Sequence, residues 1–202
     1  MSIYIKSMLA VALTGVLANS AMAADGTINF TGDIVAASCN ATAGSGSNVS
    51  GEKGAQIINV KLGKVPIDSL KGSTSIVAGT PINLDLDCGS TGTGLKLVKV
   101  QFDPRSGSGV DSSNGSLLKI AGGATAATGV GIGIYDLSGK LLNLGANETF
   151  NSELLEETTG TGATATTKYS AKLNMRTAYV ANGATLKAGV ANGTLPFTLT
   201  YE

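Results

Sequence analysis

Apolar and polar residues alternate strictly over the last stretch of the chain: Leu195, Phe197, Leu199 and Tyr201 point one way, Pro196, Thr198, Thr200 and Glu202 the other. A period of two marks a half-buried β-strand built from residues that pack well on a pleated surface. So apolar a face calls for neighbours on both edges of the strand. No further strand follows Glu202 in this sequence, so one neighbour is expected from elsewhere.

The alternation recurs upstream. Gly26, Ile28, Phe30, Gly32 and Ile34 share one face of a strand that ends near Val35, with glycines where something approaches closely. Asn40 to Gly54 reads as a polar loop, and Gln56 to Leu62 as a strand ended by Leu62-Gly63-Lys64-Val65-Pro66. From Thr80 to Cys88, the residues Ile82, Leu84, Leu86 and Cys88 fall on one side and acids on the other. Leu95 to Phe102 is the next strand, although Lys96 and Lys99 break strict alternation, and Leu117 to Ile120 is a short one. Gly129 to Asp136 and Leu141 to Leu144 flank Leu137-Ser138-Gly139-Lys140 as a hairpin. Asn151 to Glu157 is the only stretch that could form a helical turn; Tyr169 to Val180 is a strand ended by Asn182-Gly183. Many short strands separated by Gly and Asn-Gly turns predict a single all-β sandwich, with no internal repeat and no linker.

Composition changes this picture mainly at the N-terminus. Lys6, the apolar run Met8–Ala18 and the small-residue site Ala21-Met22-Ala23 read as a secretory signal peptide over residues 1–23, cleaved before Ala24. Its apolar core is shorter than a membrane span. Removing Lys6 leaves 13 basic against 14 acidic residues, so nothing draws the mature chain to nucleic acid or to an anionic membrane. Export also places Cys39 and Cys88 in an oxidising compartment, and two cysteines allow one pairing; a disulfide is predicted.

The chemistry that could make an enzyme is thin. There is no histidine, which removes Ser-His-Asp and Cys-His nucleophile systems and the commonest metal ligand. Asp85 and Asp87 lie two apart on one strand face, where solvent-facing polarity explains them as well as an acid pair or a cation site. Gly46 and Gly51 have phosphate-loop spacing, but Glu52 stands where the motif needs Lys. Gly131-Ile132-Gly133 lacks the third glycine of a dinucleotide site. No catalytic residue, metal or cofactor is expected.

Four stretches together resemble the pilin subunits of chaperone-usher fimbriae, of the type 1 pilus kind. They are Gly26 to Gly32 ahead of Cys39, Pro81 to Cys88, Ala127 to Asp136, and Gly193 to Glu202. The resemblance spans the mature chain, and the two ends carry most of it. It implies an incomplete immunoglobulin-like β-sandwich lacking its last strand, completed by a donor strand from another chain. Residues 24–35 would be the donor extension and 36–202 the pilin domain. Ala24, Gly26, Ile28, Phe30, Gly32 and Ile34 would enter a neighbour's groove. Gly189, fourteen from the C-terminus, and the penultimate Tyr201 match the family's chaperone-recognition pattern, with Leu195, Phe197 and Leu199 completing the groove wall.

The partners so implied are other copies and other pilins, a periplasmic chaperone, an outer-membrane usher, and a host or surface receptor. The leading expectation is the repeating shaft subunit of an extracellular fimbria. A minor or adaptor subunit and an adhesive tip component are the alternatives. The N-terminal strand could also pair within its own domain, giving a soluble monomer. An outer-membrane barrel is disfavoured, because aromatics make up only 4% of the residues and no aromatic girdles can form.

Overall fold

A computed structural model describes residues 39–44, 47–52, 55–71 and 79–202. The expected signal peptide and the expected donor strand therefore lie outside the described residues. The described chain carries ten strands: β1 Asn40–Ala43, β2 Ser47–Ser50, β3 Ile57–Val60, β4 Thr80–Gly89, β5 Leu97–Phe102, β6 Val130–Tyr135, β7 Phe150–Glu153, β8 Leu155–Thr159, β9 Thr166–Ala181 and β10 Phe197–Tyr201.

β9 organises the first sheet, whose order is β1-β4-β9-β6. Ser170 is paired with Asp87 of β4 and with Leu155 of β8, so β8 and β6 share the edge of β9 that faces away from β4. The second sheet is β10-β5-β7, and β2 and β3 form a separate antiparallel pair. The architecture is all-β, with two sheets around one core and open sheet edges. The alternation of the sequence decides which side chains lie between the sheets. Leu84, Leu86 and Cys88 of β4, Ala171, Leu173 and Met175 of β9, Ile132 and Ile134 of β6, and Val98, Val100 and Phe102 of β5 all join one buried core. Lys99 and Gln101 face outward from β5, so its alternation is cleaner than the lysines suggested.

β6 is buried on both faces, whereas the sequence predicted one apolar face with glycines on the other. The glycines explain the difference. A Cβ on Gly131 would lie 2.8 Å from Leu117 Cβ, and one on Gly133 would lie 2.9 Å from Leu141 Cδ1. Chain segments thus close over the outer face of β6, with Leu118 exchanging backbone hydrogen bonds with Ile132 at 2.8 and 2.9 Å.

Three further expectations need correction. Asn40 to Gly54 is not simply a loop, because it contains β1 and β2. β1 has one buried residue, Ala41, so no apolar alternation announces it. It is held by pairing with β4 and by Gln56, whose side-chain amide accepts from Ala41 N at 2.9 Å and donates to Ala41 O at 2.8 Å. Asn151 to Glu157 forms strands rather than a helical turn: β7 pairs with β5, Leu154 is buried, and β8 then pairs with β9 in the other sheet. Adjacent leucines at a strand that changes sheets look like the face of a helix. Among the described residues, the helical ones lie instead at Ile67–Leu70 and in three short 3-10 turns. The expected hairpin at 137–140 has its turn, with Asp136 N donating to Lys140 O at 3.0 Å, but only a single Tyr135–Leu141 bridge follows before the chain bends into a 3-10 turn at Leu144–Ala146.

Among the described residues, one buried side-chain polar group lacks a partner. Thr177 is 3% exposed and its Oγ1 makes no hydrogen bond. Replacing Thr177 by Val removes a hydroxyl that is desolvated without compensation and keeps the branched shape that strands favour. The expected outcome is a gain of about 1 kcal/mol in urea unfolding; a loss of stability in Thr177→Val would show that the hydroxyl is bonded in solution.

Candidate docking groove along the final strand

The final strand combines two features that rarely coincide. Its register with β5 pairs Phe197 with Phe102, Leu199 with Val100 and Tyr201 with Val98, which puts the three large side chains on the core face. Glu202 exchanges hydrogen bonds with Leu97 at 2.8 and 2.9 Å, and Asp103 N donates to Pro196 O at 2.8 Å. Antiparallel pairing alternates, so Pro196, Thr198, Thr200 and Glu202 aim their backbone groups at β5. Phe197, Leu199 and Tyr201 must then aim their N–H and C=O groups the other way. No described strand runs along that edge.

The side chains of these three residues also stop short of full burial. Val98 and Val100 on the neighbouring strand are 0% and 1% exposed, while Leu195, Phe197, Leu199 and Tyr201 are half-buried against the same core. One strand therefore presents both unpaired main-chain groups and an incompletely covered apolar row.

The segment just before β10 borders a separate groove of about 550 Å³, whose lining ends at Asn192 and includes no residue of β10. Val65, Pro66 and Ile67 line one side, and Leu186, Val190 and Ala191 line the other. Gly189 stands on this second side, not on β10. A Cβ there would lie 2.5 Å from both Ala127 N and Thr125 O, so the glycine permits a close backbone approach. Val190 N donates to Thr125 O at 2.7 Å, and Tyr179 donates its hydroxyl proton to Ala191 O at 2.8 Å; together they fix this wall. Sequence reasoning missed Val65, Pro66, Ile67, Leu186 and Tyr179 as groove residues. Only the Gly63-Lys64-Val65-Pro66 break after the β3 region hinted that the chain turns there.

At the other end of β10, Tyr201 Oη accepts from Cys39 N at 3.2 Å, and Lys99 pairs with Glu202 at 2.6 Å. Cys39 and Cys88 are joined in a disulfide, both buried. The last strand is thus tied to the start of the first sheet through the residue next to the terminus. Burial pushes the Tyr201 phenol above its ordinary value, with the Cys39 amide opposing in part. A raised folded value means that this stability contribution is complete below about pH 10 and is lost as pH climbs through the higher folded value. Tyr135 and Tyr179 shift the same way, also by burial. Denaturation midpoints measured from pH 8 to about 11 are expected to fall in the wild type and to fall less steeply in Tyr201→Phe. Identical slopes would show that Tyr201 ionises as freely folded as unfolded.

Nothing in the described residues supports group chemistry. Asp85 and Asp87 are exposed; Asp85 lies 3.8 Å from Lys172, and Asp87 accepts from Gly89 N at 2.9 Å. No described group of three His, Cys, Asp or Glu residues is arranged to hold a metal. No described helix is long and apolar enough to cross a membrane. What the groove can do is bind an extended segment, with main-chain pairing along β10 and alternate side chains set into the apolar row.

The Fimbrial protein family model matches residues 28–202. The chain belongs to the fimbrial protein family. It is similar to long polar fimbria protein A of Salmonella typhimurium, with 33% identity covering 98% of this chain and 97% of the relative. It is also similar to the type-1 fimbrial protein A chain of Escherichia coli K12, at 31% identity over 100% and 97% of the two chains. A third relative, a probable major fimbrial subunit LpfA of Escherichia coli O157:H7, shares 31% identity over 97% and 94%. As a fimbrial protein the chain is a structural, non-enzymatic subunit of an extracellular fibre at the cell surface, and it assembles with other pilin subunits. The open edge of β10 lies inside the matched region.

Proposed function

We propose that this fimbrial protein is a repeating fibre subunit that polymerises by strand donation. Residues 24–35 of one copy form the donor extension and residues 36–202 the receiving domain. The observation that carries this reading is the double incompleteness of β10: Phe197, Leu199 and Tyr201 offer backbone groups and half-buried side chains along the same edge. An exposed strand edge of this kind is an aggregation hazard until another strand covers it. A periplasmic chaperone strand covers it first, with Gly189, Leu195, Phe197, Leu199 and Tyr201 as its contact row. The donor strand of the next subunit then replaces it at the outer-membrane usher. Ile28 and Phe30 supply the donor's large side chains, with Ala24, Gly26, Gly32 and Ile34 on the same face. One relative is a probable major fimbrial subunit, which supports the shaft role over an adaptor or tip role.

Deleting residues 24–31 tests the reading. The deleted subunit is expected to fold and co-purify with its chaperone yet to form no fibres by electron microscopy. Normal fibres from that deletion would refute strand donation. Tyr201→Asp places a charge in the half-buried row and is expected to weaken chaperone co-purification; unchanged recovery would remove β10 from the chaperone contact.

A further inference from the structure

The groove upstream of β10 is apolar inside and basic at its mouth. Lys64 stands in one wall and Lys187 in the other; both are exposed, and no Asp or Glu lines the groove. The ion pairs among the described residues use Lys71, Lys99, Lys140 and Lys172, so Lys64 and Lys187 are among the several cations without a carboxylate. The segment proposed to enter the groove has the opposite composition. Between Ala24 and Glu52 the only charged side chains are Asp25 and Asp33. Cleavage before Ala24 would leave a free α-amino group beside Asp25, which carries positive charge near neutral pH and offsets that carboxylate. Asp33 is then the uncompensated charge of the donor.

We infer that Lys64 and Lys187 form a basic mouth that receives the carboxylate of Asp33 from a second copy, and that this pairing steers strand donation. The inference rests on the strand-donation reading. Period-two geometry supports it: with Ile34 turned toward the apolar groove, Asp33 points out to the mouth, where the two amines are exposed. It also fixes direction. The mouth lies before the start of β10 and Asp33 near the end of the donor, so the strands run antiparallel, the more frequent pairing. Exposed charges of opposite sign act on encounter more than on the strength of the finished contact, and salt screens them.

The test is the assembly rate of the full mature chain, followed by light scattering at about 0.02 M and about 0.5 M salt. Lys64→Gln with Lys187→Gln, and separately Asp33→Asn, are expected to slow assembly about fivefold at low salt and to match the wild type at high salt. Asp33→Lys combined with Lys64→Asp and Lys187→Asp is expected to recover the low-salt rate, which simple misfolding would not allow. Wild-type rates in the neutralised variants, together with loss of assembly on deleting residues 24–31, would overturn the basic mouth and leave strand donation standing. Assembly that survives the deletion would remove strand donation itself. A loss in Asp25→Asn equal to that in Asp33→Asn would overturn the assignment of Asp33 and the strand direction drawn from it.

Discussion

Replacing Cys39 and Cys88 together by Ser is expected to destabilise the domain by about 4 kcal/mol, the loop-closure entropy of a crosslink 49 residues apart. That loss is a large part of the ~5–15 kcal/mol that holds a typical domain folded. The crosslink does more than shorten the unfolded chain. β1 pairs with β4 from Asn40 opposite Asp87 to Ala43 opposite Leu84, so the disulfide closes the ladder at its end. β1 buries only Ala41 and is otherwise held by its ladder to β4 and by the Gln56 side chain. Cys39 N also donates to Tyr201 Oη, so freeing Cys39 loosens the tether of β10. The double-serine variant is therefore expected to show both a lower urea midpoint and weaker chaperone binding. A stability loss under about 1 kcal/mol would mean that the reduced chain keeps the loop closed by other contacts.

The parts of this fold that could be read from the sequence are those in which a strand meets one apolar and one polar environment. β4, β9 and β10 alternate because each has the core on one side, and Ile82 to Cys88 is buried at every second position. The reading fails where that condition fails. β6 is covered on both faces, so its glycines reflect Leu117 and Leu141 packed outside rather than a solvent face. β1 is made of side chains too small to show a period, and Leu154, which sits between β7 and β8 where the chain changes sheets, breaks the period of both. The candidate site divides along the same line. Leu195, Phe197, Leu199 and Tyr201 could be named in advance because they follow one another at a period of two. The opposite wall at Val65 and Ile67 could not, because only the folded chain brings residues 63–67 beside residues 186–192.

Replacing Phe30 by Ala in the donor segment is expected to weaken strand donation by at least about a hundredfold. Truncating a buried Phe costs about 3–5 kcal/mol, and each 1.4 kcal/mol is tenfold in affinity. The same alternation that makes Phe30 a core-directed residue turns Thr31 outward, so Thr31→Ala, one position away, is expected to change affinity by less than about threefold. The alternation requires that contrast between neighbours; a loose apolar attraction would give the same contrast but no dependence on register. It also constrains the receiving side. The inward row on β10 comprises Phe197, Leu199 and Tyr201, so Leu199→Ala in the receiver should cost less when the donor already carries Phe30→Ala than when it does not. Such coupling, measured by titrating a peptide of residues 24–35 against the receiver, would place Phe30 on that row. Strict additivity of the two losses would mean that Phe30 binds elsewhere and that the donor enters in a different register.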